Sequence, residues 1–399
     1  MTYQAIVIGA GFAGLSAARE LGRRRVDAIV LERSRAVGQS WRSRHEHLRL
    51  NTWRVVSRLP GSALPRRAGR WPHRDDLVAH LEGYAVHEGL SVRTGIDARS
   101  IDRVGAGWRV ETSAGHLEAP VVVVATGHDR VPVVPDWPGK AGYLREFLHS
   151  SAYRSARPFR GRDVLVVGAG NSGSEIAADL ASGGARRVRL AVRTGVNLFG
   201  PSFLGIPITV WAYALRAAPS WFADVMSAWT QRLRYGDLAA LGVVPAPWGV
   251  ATEMRVKGKG PVLDRGFSDA IRSGTIEIVR AVAGFDGPDV VLASGERLHP
   301  DAVIAATGYR TGLETLVGDL VDLDRWGRPA CRDTGIDPRV PGLYFVGYAL
   351  PLTGQLPEMA CIARRVARHA EHLLRRKRDE RPEQSAEAGR QFRRTHGVS

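Results

Sequence analysis

Two strand–glycine turn–helix units in one chain, followed by a pair of echoing strand corners, predict an α/β protein of two Rossmann-like dinucleotide-binding domains, the second inserted into the first. The first unit carries Gly9-Ala-Gly11-Phe-Ala-Gly14 and closes on Glu32, while the second carries Gly168-Ala-Gly170-Asn-Ser-Gly173 and closes on Arg193. The corners are Ala125-Thr126-Gly127 and Ala306-Thr307-Gly308. One glycine turn of this kind is a weak signal; two complete units, closed by residues of opposite charge, are a strong one.

In chain order, Tyr3 to Ile8 reads as a buried strand, Leu15 to Gly22 as a helix and Val26 to Leu31 as the next strand. In such a turn Gly9 permits the tight bend, Gly11 lets phosphates approach the backbone and Gly14 lets helix and strand pack closely. Glu32, with Arg33 beside it, stands where a carboxylate accepts both hydroxyls of an adenosine ribose, so this unit reads as a site for a dinucleotide with a free ribose. The loop Gln39-Ser40-Trp41 follows, its indole either against the flavin ring or filling core. Then come His45 to Thr52, a helix opened by Trp71 to Asp75 and running to His87, and strands Trp108 to Thr112 and Val121 to Ala125, the latter ending in Thr126-Gly127.

The second unit begins with the β-branched run Val164 to Val167, and Ser174 to Ala181 continues the turn Gly168-Ala-Gly170-Asn171-Ser172-Gly173 with helical spacing. The strand Val188 to Val192 then delivers Arg193 and Thr194. A guanidinium offers a fork of donors to a 2′-phosphate where an acid would take a free hydroxyl, so the unit reads as an NADPH site. Residues 197–248 are rich in Trp, Phe, Leu and Pro and match no part of a dinucleotide fold. Helical stretches at Ile208 to Arg216 and Trp221 to Leu233 could line a channel for an apolar substrate, form a homodimer face or lie on a membrane; the first two are favoured. After the Thr307-Gly308 corner, Leu343 to Gly347 gives a last strand, and Gln355 to Leu374 a helix whose N-terminus can face a flavin ring or phosphate. The domains expected are 1–155 with 300–375 for FAD, 156–299 for NADPH, and a basic, flexible tail at 376–399.

At 399 residues, 44% hydrophobic and 24% charged, the chain can bury two or three cores. Its formal charge of +16 comes from scattered arginines, only four of the 56 basic residues being lysine. No basic stripe interleaved with aromatics appears, so phosphorylated cofactors rather than nucleic acid are the expected anions. Cys331 and Cys361 form neither a disulfide framework nor a Cys-x-x-Cys pair, which fits reducing cytosol. No cleavable signal opens the chain, and the longest apolar run, Phe203 to Leu215, holds Pro207 and is too short to span a bilayer. The pattern asks for no metal.

The lead-in Tyr143-x-Arg145-x-x-x-His149-Ser-x-x-Tyr153, joined to the two glycine turns and the two corners, resembles the class B flavin-dependent monooxygenases. The likeness covers nearly everything to Leu374. It is closest to the YUCCA-type branch, which the runs His47-Leu-Arg-Leu50, Gly260-Pro-Val-Leu-Asp264 and Ile271-Arg-Ser-Gly274 resemble. Arg145 stands where that family's fingerprint has glycine, and Gly38-Gln39 where its FAD loop has a glycine pair. The resemblance implies FAD, NADPH and O2, a C4a-(hydro)peroxyflavin, and transfer of one oxygen atom to a small organic substrate at nitrogen, sulfur or a carbonyl, including oxidative decarboxylation of a 2-oxo acid. In such chemistry the protein chiefly orients the partners and excludes water. By the same resemblance Asn51 lies beside the flavin, where its amide either donates to the distal peroxide oxygen or simply caps the turn before Trp53. His149 is expected to position the interdomain linker, and Gly347 and Gln355 to belong to the flavin site. A reductase of the disulfide- or ferredoxin-reductase kind is the alternative, its commonest form opposed by the missing cysteine pair.

Overall fold

The computed structural model describes residues 3–395. Its first sheet has five parallel strands, ordered Leu343–Phe345, Val121–Val124, Ala5–Ile8, Ala28–Glu32, Ser91–Thr94. Val7 lies opposite both Val30 and Val123 in register. These strands are continuous rather than alternating apolar runs because both faces are covered, the usual condition of a parallel sheet. On one face helix Phe12–Gly22 packs against helix Gln355–Thr395, joining Ala17 and Leu21 to Ile362, Val366 and Ala370 in one core. On the other lies a three-stranded antiparallel meander, Ala98–Val104, Gly107–Thr112 and Gly115–Ala119, anchored by the fully buried Trp108.

The second sheet repeats the plan, again with five parallel strands, ordered Glu146–His149, Ala302–Ala305, Asp163–Val167, Arg187–Val192, Ile276–Arg280. In each sheet the strand before the glycine turn is central. The strand that closes the turn lies on one side and the corner strand on the other. Only the outermost strand differs in chain order: it is the last strand of the first unit and the first of the second.

This arrangement moves the expected boundaries at 156 and 300. Glu146–His149 and Ala302–Ala305 are strands of the second sheet, so the chain returns to the first unit after the Thr307-Gly308 corner and not before it. The reason is local: each corner strand must lie beside its own glycine strand, because the corner carbonyl packs on the first glycine of that turn. The crossings leave after Gly127 and return after Gly308, and they pair antiparallel as Val131–Pro132 with Tyr309–Arg310. The final helix continues to Thr395, well past Leu374 where its apolar spacing ends, so the expected tail from 376 starts on this helix. Residues 396–399 of that tail lie outside the described residues.

The insertion holds helices Ile208–Ala214 and Ser220–Tyr235, close to the stretches read from the sequence. The second turns Ala223, Ser227 and Tyr235 inward and leaves Trp221, Val225, Trp229 and Leu233 exposed. These large side chains therefore line no internal channel.

Candidate functional site

Both glycine turns are built alike, and the space around each glycine separates what the fold requires from what it does not. Gly9 and Gly168 have φ of 107° and 106°, and a Cβ on either would lie 2.6 Å from the corner carbonyl of Ala125 or Ala306. A Cβ on Gly14 or Gly173 would lie 1.8 or 1.7 Å from the carbonyl oxygen of Gly9 or Gly168. The middle glycines differ: Gly11 and Gly170 have ordinary extended backbone, and a Cβ on either meets nothing within 4 Å. No contact within the chain accounts for glycine at these two positions. Open space there, facing helices Phe12–Gly22 and Asn171–Ser182 that begin without a side-chain cap, is what a pyrophosphate fills. The residues present thus fit a dinucleotide at each turn.

At the first turn Glu32 is nearly buried and its carboxylate is fixed by two amides, Ala10 N donating to Oε2 at 2.8 Å and Ser34 N to Oε1 at 2.9 Å. Each oxygen keeps lone pairs for a ribose hydroxyl. Arg33 beside it is exposed. Gly38, left-handed at φ 69°, donates to Ala10 O and so docks Gln39 and Ser40 against the turn. Trp41 packs on the first core. Gly347 approaches Ala13 on the turn helix so closely that a Cβ would lie 3.0 Å from its methyl, and Thr126 Oγ1 meets the buried Tyr348 hydroxyl at 2.9 Å. Gln355 opens the last helix with its amide 3.1 Å from His128 Nε2, next to Gly127. The expected flavin residues of the first unit are thus gathered at one turn.

At the second turn Arg193 and Thr194 are exposed at the end of their strand, and Lys259 Nζ donates to Thr194 Oγ1 at 3.1 Å. Lys259 was missed in the sequence because it arrives from a segment 65 positions further on; its rarity as one of four lysines was the only signal. Asn171 is spent differently from the expectation. Its side chain donates to Pro261 O and accepts from Leu263 N, both at 2.9 Å, so it holds a neighbouring strand and leaves its backbone amide for a dinucleotide. Ser172 and Gly173 follow it in the first turn of the helix. Thr307 and Gly308 are engaged in the crossing: the Thr307 hydroxyl donates to Val133 O, and Val133 N donates to Gly308 O at 3.0 Å.

His149 joins the same crossing. Its Nδ1 accepts from Ser151 N at 3.1 Å, so Nε2 carries the proton and donates to Gly308 O at 3.1 Å, with the ring edge-on to Tyr309. Burial holds the imidazole pKa below its ordinary value.

Asn51 sits where the units meet. Its Oδ1 is buried without a hydrogen-bond partner, and the adjoining turn is held by Thr52 and Ser57, whose hydroxyls lie 2.6 Å apart. The side chain therefore does not cap that turn. Beside it the seam is closed by His45 Nε2 and Glu175 Oε2 at 3.1 Å and by Arg265 Nη2 donating to Leu50 O at 2.9 Å. Neither Glu175 nor Arg265 stood out in the sequence, since each lies far along the chain from its partner. Among the described residues no helix is long and apolar enough to cross a membrane, and Cys331 and Cys361 are both free.

Two dinucleotide cradles joined by paired crossings define a flavoprotein oxidoreductase of the two-domain kind. Residues 6–198 match the model for pyridine nucleotide-disulphide oxidoreductases, and residues 105–324 match that for flavin-binding monooxygenase-like proteins. The chain belongs to the flavin-binding monooxygenase family, and it is a flavin-dependent monooxygenase near the YUCCA-type branch. It is similar to the indole-3-pyruvate monooxygenase YUCCA1 of Oryza sativa subsp. japonica, 35% identical over 80% of both chains. It is likewise similar to YUCCA8 of Oryza sativa subsp. indica, 34% identical over 86% of both. Among solved structures, a mutant flavin monooxygenase from Stenotrophomonas maltophilia shares the fold at a TM-score of 0.73 and 23% identity, covering 93% of this chain and 98% of that one.

Proposed function

We propose that the protein uses NADPH and O2 to oxygenate a small 2-oxo acid at its keto carbon. The acid loses its carboxyl carbon as CO2 and leaves as the carboxylate one carbon shorter, while NADPH and a proton supply the electrons and hydrogen that reduce the second oxygen atom to water. The observation that carries this reading is the likeness to indole-3-pyruvate monooxygenases across four-fifths of both chains, a span that includes most of the fold. Bound FAD would supply the hydride acceptor and the centre at which O2 is activated.

The remaining tasks fall to the chain. The open backbone at Gly11 and the amides after it would hold the FAD pyrophosphate, and Glu32 its ribose. Gly170 and the helix that follows would do the same for NADPH, with Arg193, Thr194 and Lys259 on its 2′-phosphate. The Asn51 side chain, whose Oδ1 is buried without a partner, would donate through its Nδ2 to the reacting oxygen, and the Arg265–Leu50 and His45–Glu175 contacts would help keep water from the seam. Burial favours the neutral form of His149, whose part would be to position the crossing through Gly308 O. Two unpaired cysteines suit work in the cytosol.

The test supplies the purified flavin-loaded protein with NADPH, O2 and indole-3-pyruvate or phenylpyruvate. One CO2 and one shortened acid per NADPH are expected. NADPH consumed only to hydrogen peroxide with 2-oxo acids, but coupled to oxygenation of a thioether or amine, would overturn the proposal.

A further inference from the structure

The seam between the units holds a guanidinium that forms no ion pair among the described residues. The backbone leading into Arg265 is fixed twice: Asn171 Oδ1 accepts from Leu263 N at 2.9 Å, and Asp264 N donates to Phe199 O at 2.7 Å. The Asp264 carboxylate then accepts from Ser268 N at 3.1 Å and from its hydroxyl at 2.6 Å, which secures the start of helix Phe267–Arg272. From this rigid corner the side chain crosses to the first unit and donates through Nη2 to Leu50 O, the carbonyl of the peptide that begins Asn51. Its Nε is buried with no hydrogen-bond partner.

The acid that acts on this guanidinium is Glu175, yet Glu175 is turned to His45 Nε2 at 3.1 Å, and among the described residues Arg265 forms no ion pair. Burial, with a smaller contribution from the nearby Arg49, lowers the Arg265 pKa against the opposing pull of Glu175. Arginine keeps its proton even so. Arg265 is partly buried with its Nε shut off from solvent, and a cation in such a place without an ion pair is normally compensated by an anion.

We propose that Arg265 anchors the carboxylate of the substrate, holding it by a charge-assisted pair of hydrogen bonds beside Asn51. The inference rests on the reading of the substrate as a 2-oxo acid. In such an acid the carboxylate is bonded to the keto carbon, so a guanidinium at the Leu50–Asn51 peptide places that carbon next to the Asn51 amide. An oxyanion at this position could also be a coenzyme phosphate. The coenzyme already has the uncapped helix start after Gly170 for its pyrophosphate and Arg193, Thr194 and Lys259 for its 2′-phosphate, whereas Arg265 is bonded to the first unit. None of the positions read from the sequence as site residues included it.

The test uses the flavin-loaded protein with Arg265→Met, which keeps bulk and removes charge, and Arg265→Lys, which keeps charge without the fork. Binding of indole-3-acetate and of the neutral indole-3-acetamide is measured by calorimetry, and the KM for NADPH and for indole-3-pyruvate by turnover. In Arg265→Met the carboxylate should weaken by on the order of tenfold to a hundredfold and the amide hardly at all. KM for indole-3-pyruvate should rise with it, KM for NADPH should hold, and Lys should restore part of the loss. Equal weakening of acid and amide, no change in either, or a rise confined to the NADPH KM would overturn the assignment, the last by giving Arg265 to the coenzyme. The two readings fail separately. Turnover of 2-oxo acids with Arg265-independent carboxylate binding removes only this inference, and Arg265-dependent binding without turnover removes only the proposed reaction.

Discussion

Alanine at Gly11 and at Gly14 should produce opposite kinds of damage, although the two glycines lie three residues apart in one turn. At Gly14 the added Cβ would sit 1.8 Å from Gly9 O, and both atoms belong to backbone fixed by the sheet and the turn helix. Relief requires the helix to move by more than an ångström out of a core that includes Ala13, Ala17 and Leu21. Overpacking of this kind costs about 1–3 kcal/mol and more where backbone is the obstacle. At Gly11 the same methyl meets nothing within 4 Å, and its backbone at φ −87° and ψ −170° is one that alanine adopts freely. The folded apoprotein should therefore tolerate Gly11→Ala, the smaller entropy of its unfolded chain offsetting a poorer helix cap. The assay is thermal unfolding of the flavin-free proteins beside the flavin absorbance of the same proteins as purified. Gly11→Ala should melt within about 2 °C of wild type and lack the yellow colour; Gly14→Ala should melt several degrees lower or fail to accumulate. A Gly11→Ala protein that keeps FAD at wild-type occupancy, or whose apoprotein melts as low as Gly14→Ala, would refute the assignment of this space to a pyrophosphate.

Arg193→Ala should raise the KM for NADPH about tenfold, towards the lower end of a charge-assisted phosphate contact because Lys259 and Thr194 remain, while the KM for NADH changes little; parallel loss with both coenzymes would sink the 2′-phosphate role. Asn51→Leu should leave flavin reduction by NADPH nearly intact and divert O2 to hydrogen peroxide, read as peroxide formed per NADPH consumed; unchanged coupling would show that its side-chain amide has no catalytic meaning. His149, its pKa lowered by burial, binds fewer protons folded than unfolded just below the ordinary histidine value of about 6.5, so it contributes stability above that pH that is lost as pH falls through its folded value. His149→Gln should flatten the decline in denaturation midpoint below about pH 6.5, and an identical slope in mutant and wild type would count against it.

The two turns were readable because their demands are local. Gly14 meets the carbonyl of Gly9 within the same short unit, and the strand, helix and closing residue follow at fixed distances along the chain. The corners Thr126-Gly127 and Thr307-Gly308 were readable as an echo for the same reason. The domain limits were not, because a short apolar run such as Ala302–Ala305 carries nothing to say which of two parallel sheets it joins. That choice depends on Ala306 O reaching Gly168, a contact between residues 138 positions apart. The side-chain use of Asn171 was hidden on similar grounds: its place in the turn points to a ligand for its backbone, while its side-chain amide is taken by a strand about ninety residues on. The exposed face of helix Ser220–Tyr235 and the Arg265 corner were likewise beyond a linear reading. Apolar content does not say which side of a helix faces solvent, and an arginine among 56 basic residues does not declare itself unpaired.

The pairing of Val131–Pro132 with Tyr309–Arg310 ties the two crossings between the units into a single strap. Two separate tethers would let the second unit twist and slide independently of the first. A bonded ribbon, further pinned by His149 on Gly308 and by Arg44 stacked at 5.1 Å over the Tyr309 ring, resists both. Flexing out of the ribbon plane is the softer direction left to such a strap. Any opening in that direction would load the Arg265–Leu50 and His45–Glu175 contacts beside Asn51 together rather than one by one.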